Sequence, residues 1–452
     1  MIDFVEVAIG ELGKTVTGKT PSSNNPEDFG DKYMFATPSD DLDTKTLKYT
    51  HRYVSQSGLD KLKGKILPPK SVLVSCIGSA MGKVVMNSST CLTNQQINSI
   101  IVNQSYDPDY IYYCLKNNYK LLKNAATGST ALPLLNKTDF DLIKIIVNKN
   151  KNEQKSIAKI LSDLDTKIEL NNKINQELET MAKLLYDYWF VQFDFPDANG
   201  KPYKSSGGLM VYNDKLKREI PKGWKVKTFS EWIKNDKSGD WGMEKIEGNY
   251  TQKVYCIRGA DINGLNGTGN LKSPERYILE KNLHKILDPA DLIVEISGGS
   301  PTQSTGRLAY ITEGTLERFD APIICSNFCK AVTLKNKKLL YNFVYHWKSI
   351  YDAGVLFGYE GKTSGIKNLL FDSFVSSHYT VVPNDIIAEK FFDFMEPIQS
   401  KKQKNLLENQ KLTELRDWLL PMLMNGQVTV GDVAAQLGMV AEDGEEYKFR
   451  KK

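Results

Sequence analysis

The run Gly13-Lys14-Thr15-Val16-Thr17-Gly18-Lys19-Thr20 has the spacing of a phosphate-binding P-loop. That chemistry needs a strand before the loop and a helix after it, whose first N–H groups hold phosphate. Here Pro21-Ser22-Ser23-Asn24-Asn25-Pro26 follows, two prolines among polar turn residues, and no acidic strand suited to a metal comes after. Three readings stay open: a P-loop NTPase using Gly13–Thr20, a basic loop touching nucleic-acid phosphate, and a plain surface loop. Asp107-Pro108-Asp109-Tyr110 differs from the Asn/Asp-Pro-Pro-Tyr motif of amino-methyltransferases by one proline, and no Gly-rich cofactor loop accompanies it. Asp107 as a helix cap with Pro108 as the first helical residue is the expectation. His51, His284, His346 and His378 are isolated, without metal-ligand spacing or a nucleophile partner. The six cysteines lack CxxC spacing and read as reduced, buried thiols. No catalytic or metal-binding residue emerges.

Other polar residues are of types that meet a polyanion. In the first half these are Lys19 and Thr20, Ser79 and Lys83, Asn94, Gln95 and Gln96, and Ser129 and Thr130. In the second they are Arg258, then Thr302, Gln303, Ser304 and Arg307, Asn327, and Lys362, Thr363 and Ser364. Lys, Arg, Ser and Thr bond phosphates, while Asn, Gln and Arg pair with base edges. One such loop is ordinary surface; recurrence at matched positions is the signal. The net charge of +5 permits a nucleic-acid partner without demanding one. No 18-residue apolar run and no basic-then-apolar start is present, so a cytoplasmic protein without a membrane span is expected.

The elements that position these loops are written twice. Asp41-Leu42 lies over Asp261-Ile262, an offset of 220, and Val147 lies over Val381, an offset of 234. The second copy therefore gains 14 residues, most of them between Gly298 and Asn327. Each copy has a mixed front. Strands are expected at 32–36, 71–77, 97–102 and 143–147, with counterparts at 254–257, 291–296, 328–334 and 378–382. Helices are expected at 110–123 and 341–351.

Each copy ends in a long heptad repeat. Ile157, Leu164, Asn171, Leu178 and Leu185 hold a positions, and Leu161, Ile168, Asn175, Ala182 and Trp189 hold d. The second copy repeats this with Phe391, Ile398, Asn405, Leu412 and Leu419 at a, and Met395, Lys402, Asn409, Arg416 and Leu423 at d. Such a helix of about 38 residues spans ~57 Å. Pro397 should kink the second helix or begin its main segment. Pairing within the chain is favoured over self-dimerisation, with Asn171 opposite Asn405 and with Asn175 and Asn409 fixing register. A solvent-exposed polar centre is the alternative. Residues 195–221 read as an irregular linker. The lengths of linker and tail nearly close the repeat into a circle, which predicts neighbouring termini.

At this point the chain resembles the specificity subunit of type I restriction–modification enzymes. Thr17-Gly18-Lys19-Thr20-Pro21-Ser22 is similar to the opening loop of that family's target-recognition domains. Ile157-Ala158-Lys159-Ile160-Leu161-Ser162-Asp163-Leu164-Asp165 resembles its conserved helical region, and Leu184-Leu185-Tyr186-Asp187-Tyr188-Trp189-Phe190 the segment after it. Ile220-Pro221-Lys222-Gly223-Trp224 resembles the lead into the second recognition domain, and Leu415-Arg416-Asp417-Trp418-Leu419 the terminal helix. The resemblance implies an α+β architecture: two similar mixed α/β target-recognition domains separated by a long antiparallel two-helix coiled coil, with an internal pseudo-two-fold repeat. The expected bounds are 1–149 and 223–383 for the recognition domains and 150–194 and 384–424 for the helices. Residues 195–222 would be linker and 425–452 tail. It further implies a non-catalytic subunit whose partners are double-stranded DNA, two methyltransferase subunits and restriction/translocase subunits. This chain would bind no cofactor, and S-adenosylmethionine and ATP/Mg would reside on the partners. A related bipartite methyltransferase–nuclease of type IIB kind is the alternative.

Overall fold

Two antiparallel pairings with equivalent registers open and close the two fronts. Phe4–Ala8 pairs with Lys144–Asn148, setting Val5 opposite Val147. Lys225–Thr228 pairs with Tyr379–Val382, setting Val226 opposite Val381. Val147 and Val381 obey the 234 offset, so Val5 corresponds to Val226, not Lys225. The sequence alignment at 220 is thus one residue out over the first strands; it holds from Val72–Ser75, which matches Leu292–Glu295. A one-residue slip exchanges the faces of a strand, so the 220 offset carried back to the first strand would put Val5 on the wrong face.

The computed structural model describes residues 4–125, 134–267, 269, 271–298, 302–363 and 366–433, with backbone alone at 362 and 363. Two compact units emerge, Met1–Lys167 with Leu412–Lys452, and Ile168–Lys411, so both long helices contribute to each. The first unit carries a five-stranded sheet in the order Gly13–Thr17, Ile97–Val102, Val72–Ser75, Val84–Asn87, Thr46–Leu47. A four-stranded sheet joins Phe29–Gly30, Tyr53–Val54, Tyr33–Ala36 and Cys91–Thr93. The second unit repeats the plan with Ile233–Ser238, Cys329–Leu334, Leu292–Glu295 and Leu308–Tyr310. Its companion sheet is Glu275–Leu279, Tyr250–Ile257 and Ile323–Cys325. The expected helix at 110–123 is two, Pro108–Asn117 and Tyr119–Asn124, broken at Asn118, whose Nδ2 bonds the Cys114 carbonyl. Asp107 caps the first, accepting from the Tyr110 N–H at 3.0 Å.

Glycine is obligatory at one matched place in each copy. The strand ending at Thr17 turns against the turn after Thr93, and a Cβ on Gly18 would lie 2.2 Å from the Asn94 carbonyl oxygen. Gly239 sits against the Ser326 carbonyl at 2.0 Å in the same way. Equivalent bonds follow, Lys19 N–H to Thr93 O at 2.9 Å and Asp240 N–H to Cys325 O at 2.9 Å. This also corrects the P-loop alternative: Gly13–Thr17 is a sheet strand, and no helix opens at Thr20, the next helical residues being the 3-10 turn Pro26–Asp28.

The long helices are Lys151–Tyr186 and Asp385–Met424, begun on Asn150 and Asn384. Pro397 does not begin the second, which runs through it with Phe391 and Met395 fully buried on its seam side. The helices pair antiparallel within the chain, and the polar centre is buried rather than solvated. Asn171 Nδ2 donates to Asn409 Oδ1 at 2.9 Å, and Asn405 Nδ2 donates to Asn175 Oδ1 at 2.8 Å. Asn171 therefore faces Asn409, not Asn405. An antiparallel seam sets a against d, and the 234 offset exchanges the two asparagine pairs. Lys402, 2% exposed, bonds Glu179, which also holds Lys348 at 2.8 Å. In the first unit, Arg416 meets Asp165 at 2.7 Å.

Residues 195–221 are ordered, contrary to the irregular linker expected. Phe195 stacks on Tyr203 at 4.6 Å and on Trp224 at 4.9 Å, and Met210–Asn213 forms a hairpin with Arg218–Pro221. Aromatic burial joins positions too far apart for periodicity to reveal. The last described stretch packs on the first strand, with Gly426 against the Phe4 ring and Val433 in that unit's core.

Two outcomes are expected. Gly18→Ala and Gly239→Ala should each lower stability by roughly 2 kcal/mol or more, whereas Gly64→Ala, with nothing within 4 Å, should not; denaturant titration decides. For Glu179, burial alone would raise the carboxyl, but Lys348 and Lys402 overcome it and hold it at about 2. Its contribution is therefore complete above its ordinary value of 4.5 and is lost as pH falls towards 2. Glu179→Ala should cost about 2–3 kcal/mol, less than for a wholly buried pair because a third of the side chain is exposed, and should flatten stability between pH 5 and about 2. An undiminished acid slope in Glu179→Ala would remove the assignment.

Candidate nucleic-acid interface

Antiparallel order brings distant loops to one sheet end. Thr17 faces Asn98, Ile97 faces Ser75, and Val74 faces Val84. The turns at 18–20, 94–96 and 76–83 therefore emerge together. Thr20 Oγ1 donates to Gln95 Oε1 at 3.0 Å, and Asn94 Nδ2 donates to Gln96 Oε1 at 3.0 Å. The Cys76 N–H bonds Gln96 O at 2.9 Å, carrying the 3-10 turn Gly78–Ala80 and exposed Ser79 beside them. Lys83 closes that loop and pairs with Asp43 at 2.7 Å. Lys19, Thr20, Ser79, Lys83, Asn94, Gln95 and Gln96 thus share one end, with Lys19, Ser79 and Gln95 exposed. Ser129 and Thr130 lie outside the described residues.

The second unit keeps the backbone pattern and changes the side chains. Ile296 N–H bonds Phe328 O at 2.9 Å, as Cys76 bonds Gln96, and Gly306 N–H bonds Glu295 O as Gly82 bonds Ser75. Asn327, Thr302 and Gln303 are exposed here. Ser304 is a correction: it is 5% exposed, and its hydroxyl donates to the Thr305 carbonyl, so it is part of the loop's interior. Arg307 is committed to Glu295, with Nε at 2.8 Å and Nη2 at 2.5 Å from the carboxylate. Arg258 likewise grips Asp261 through Nε and Nη2. Burial alone would raise the Asp261 carboxyl, but the Arg258 bonds hold it below the usual carboxylate range. Both arginines therefore buttress their loops. The strand Glu360–Thr363 reaches this loop through Ile366–Leu369, which pairs with Ser297–Gly298. That places the backbone of Lys362 and Thr363; their side chains and Ser364 lie outside the description.

Three residues at this end escaped the sequence reading. Phe328, 50% exposed, stands where the first unit has Gln96. Asp240 stands where the first has Lys19, and accepts from Asn282 at 2.6 Å. Trp241 is partly exposed under the Arg276 guanidinium, 5.0 Å from its ring centroid. The signal was present as aromatics in turns rather than in strands, but the one-residue alignment error hid the Lys19/Asp240 match.

Potential nucleophiles elsewhere are quenched by burial. All six cysteines are free and buried, and burial pushes Cys91 up to about 12. Burial likewise pushes His346 down to about 3. No group of three metal-ligating side chains occurs among the described residues. No described helix is long and apolar enough to cross a membrane.

Known proteins share this plan. Residues 1–180 match the family model of the type I restriction modification DNA specificity domain. The type I restriction enzyme MjaIX specificity subunit of Methanocaldococcus jannaschii is 24% identical over 94% of this chain and 93% of its own. The HindI specificity subunit of Haemophilus influenzae is 38% identical over 31% of this chain and 30% of its own. The S subunit of a type I restriction-modification system from M. genitalium has a similar fold, with a TM-score of 0.53 at 17% identity over 93% of this chain and 96% of that one. Duplicated sheet ends, a paired helix seam and near-full-length similarity converge: the chain is similar along nearly its whole length to type I restriction-modification DNA specificity subunits, and its first 180 residues match their specificity domain.

Proposed function

We propose that each unit's loop end reads one half of a bipartite duplex DNA target. The carrying observation is one backbone hydrogen-bond pattern dressed with different side chains: Lys19 against Asp240, Gln96 against Phe328. A lysine favours phosphate, an amide pairs with a base edge, and a phenyl ring packs on a thymine methyl or a base face. Equal frameworks with unequal surfaces suit an asymmetric target. Lys362, Thr363 and Ser364, and Ser129 and Thr130, belong to the same reading by residue type.

The long helix pair sets the unspecified spacer and docks two methyltransferase subunits. Met181, Leu184, Tyr188 and Val191 recur at spacings of three and four along the first helix and its π-helical end, and all are exposed. Such an apolar stripe on a helix suits a protein partner. The chain is non-catalytic in this reading. S-adenosylmethionine sits on the methyltransferase subunits, and ATP/Mg on restriction/translocase subunits that join them. Supporting this, burial quenches the six cysteines and His346.

Three tests follow; the first and third are read by adenine-methylation mapping of this chain coexpressed with its methyltransferase partner, and the second by duplex binding of that complex at varied salt. Gln95→Ala should relax one half of the target and Phe328→Ala the other, each weakening its half-site by about 1–3 kcal/mol. Lys19→Ala should weaken binding across sequences and lower the salt slope by about one. Relaxation of both halves by one substitution would sink the division of labour. Adding one heptad to both helices lengthens the pair by ~10 Å, which should widen the spacer by about three base pairs and keep both halves; an unchanged spacer would refute the ruler.

A further inference from the structure

We propose that a pocket at the start of the second long helix binds a phosphate group. The pocket holds about 250 Å³ and is lined by Lys225, Lys227, Trp232, Lys335 and Asn384 among others. Lys225 and Lys227 are two apart on one strand, opposite Val382 and Thr380, so they stand on one face. The chain then turns at Pro383 into the 40-residue helix Asp385–Met424. Asn384 accepts the Ile387 N–H at 2.9 Å. The other first-turn N–H groups have no intrahelical acceptor, and the helix end carries partial positive charge.

A second observation points to a missing acceptor. Trp232 is 3% exposed, and its Nε1–H has no partner among the described residues. A buried donor left unpaired is costly, so native sites supply an acceptor to it. Lys335 is tied to the same place, since its N–H bonds the Trp232 carbonyl at 2.8 Å. None of the three lysines has an ion-pair partner among the described residues. Two carboxylates also line the pocket. Glu231 also accepts the Thr228 N–H at 2.9 Å; with Asp385 it sets two carboxylates against three ammoniums, which leaves the pocket net positive. A tetrahedral oxyanion with several acceptors satisfies the indole, the lysines and the helix end together. In the first unit the equivalent strand register puts Phe4 opposite Asn148 and Glu6 opposite Ile146, so Lys225 and Lys227 are replaced there and the site belongs to the second half alone.

The phosphate can be free or part of a DNA backbone, and one experiment separates the two. Thermal unfolding of the full chain is followed in inorganic phosphate and in sodium chloride of equal ionic strength. Binding of a duplex without a target sequence is measured alongside. Phosphate should raise the midpoint saturably, and Trp232→Phe and Lys227→Met should each raise the half-saturating concentration several-fold. Phe is smaller than Trp and leaves space in the core, so the Trp232→Phe midpoint in chloride should fall, and each variant's phosphate shift is read against its own midpoint in chloride. Weaker duplex binding by both variants would identify a DNA phosphate, and unchanged duplex binding a free one. Without a saturable shift, duplex binding weakened by both variants supports the site, and duplex binding they leave unchanged overturns it. A phosphate shift that survives both substitutions also overturns it. Should one variant fail to fold by circular dichroism, the other decides.

Discussion

Four asparagines buried in an apolar helix seam are the constraint on which the second unit's arrangement depends. A buried amide without partners costs far more than an apolar side chain in its place. Asn171 with Asn409 and Asn175 with Asn405 escape that cost in one register. Sliding either helix by a heptad would set Asn175 against Ile398 or Leu412 and Asn409 against Leu164 or Leu178, which leaves those buried amides without their partners. The seam thus gives up some stability relative to a fully apolar one in return for a single alignment. Lys402 depends on that alignment, since only there does Glu179 reach its ammonium. Arg416 and Asp165 make the corresponding demand in the first unit.

Backbone bonding does for the sheet ends what amides do for the seam. Lys19 and Asp240, Asn94 and Ser326, and Cys76 and Ile296 donate N–H groups to equivalent carbonyls. Those bonds depend on the backbone and tolerate any side chain that points outward. Gly18 and Gly239 are the exceptions, because the facing carbonyls leave no room for a Cβ. The framework is therefore held constant while the side chains presented at its end vary freely, which is what a reader of unlike half-sites requires. Arg258 and Arg307 show the other side of this arrangement. Each resembles a DNA-contacting residue by type, yet each is spent on a neighbouring carboxylate that stiffens its own loop.

Much of this was legible in the residues themselves. The heptads located both helices, because burial at spacings of three and four leaves a periodic trace, and Ile157, Leu161, Phe391, Met395, Leu419 and Leu423 are all buried as that trace requires. Asp107 before Pro108 announced a helix start, since the cap and the missing N–H act locally. The duplication announced two similar domains with the loops at matched places.

Other features were decided only in three dimensions. Whether Asn171 meets Asn405 or Asn409 depends on a against d packing across an antiparallel seam, which no single-helix pattern contains. The order within 195–221 comes from Phe195, Tyr203 and Trp224 stacking. Ser304 is hidden and Trp232 is left with an unspent donor because of what packs around them. Local chemistry and periodicity are written along the chain and determined the elements and the repeat. Partner choice is a property of space: a guanidinium, amide or indole takes whichever acceptor the fold brings within 3 Å, and only the tertiary structure decides which one that is.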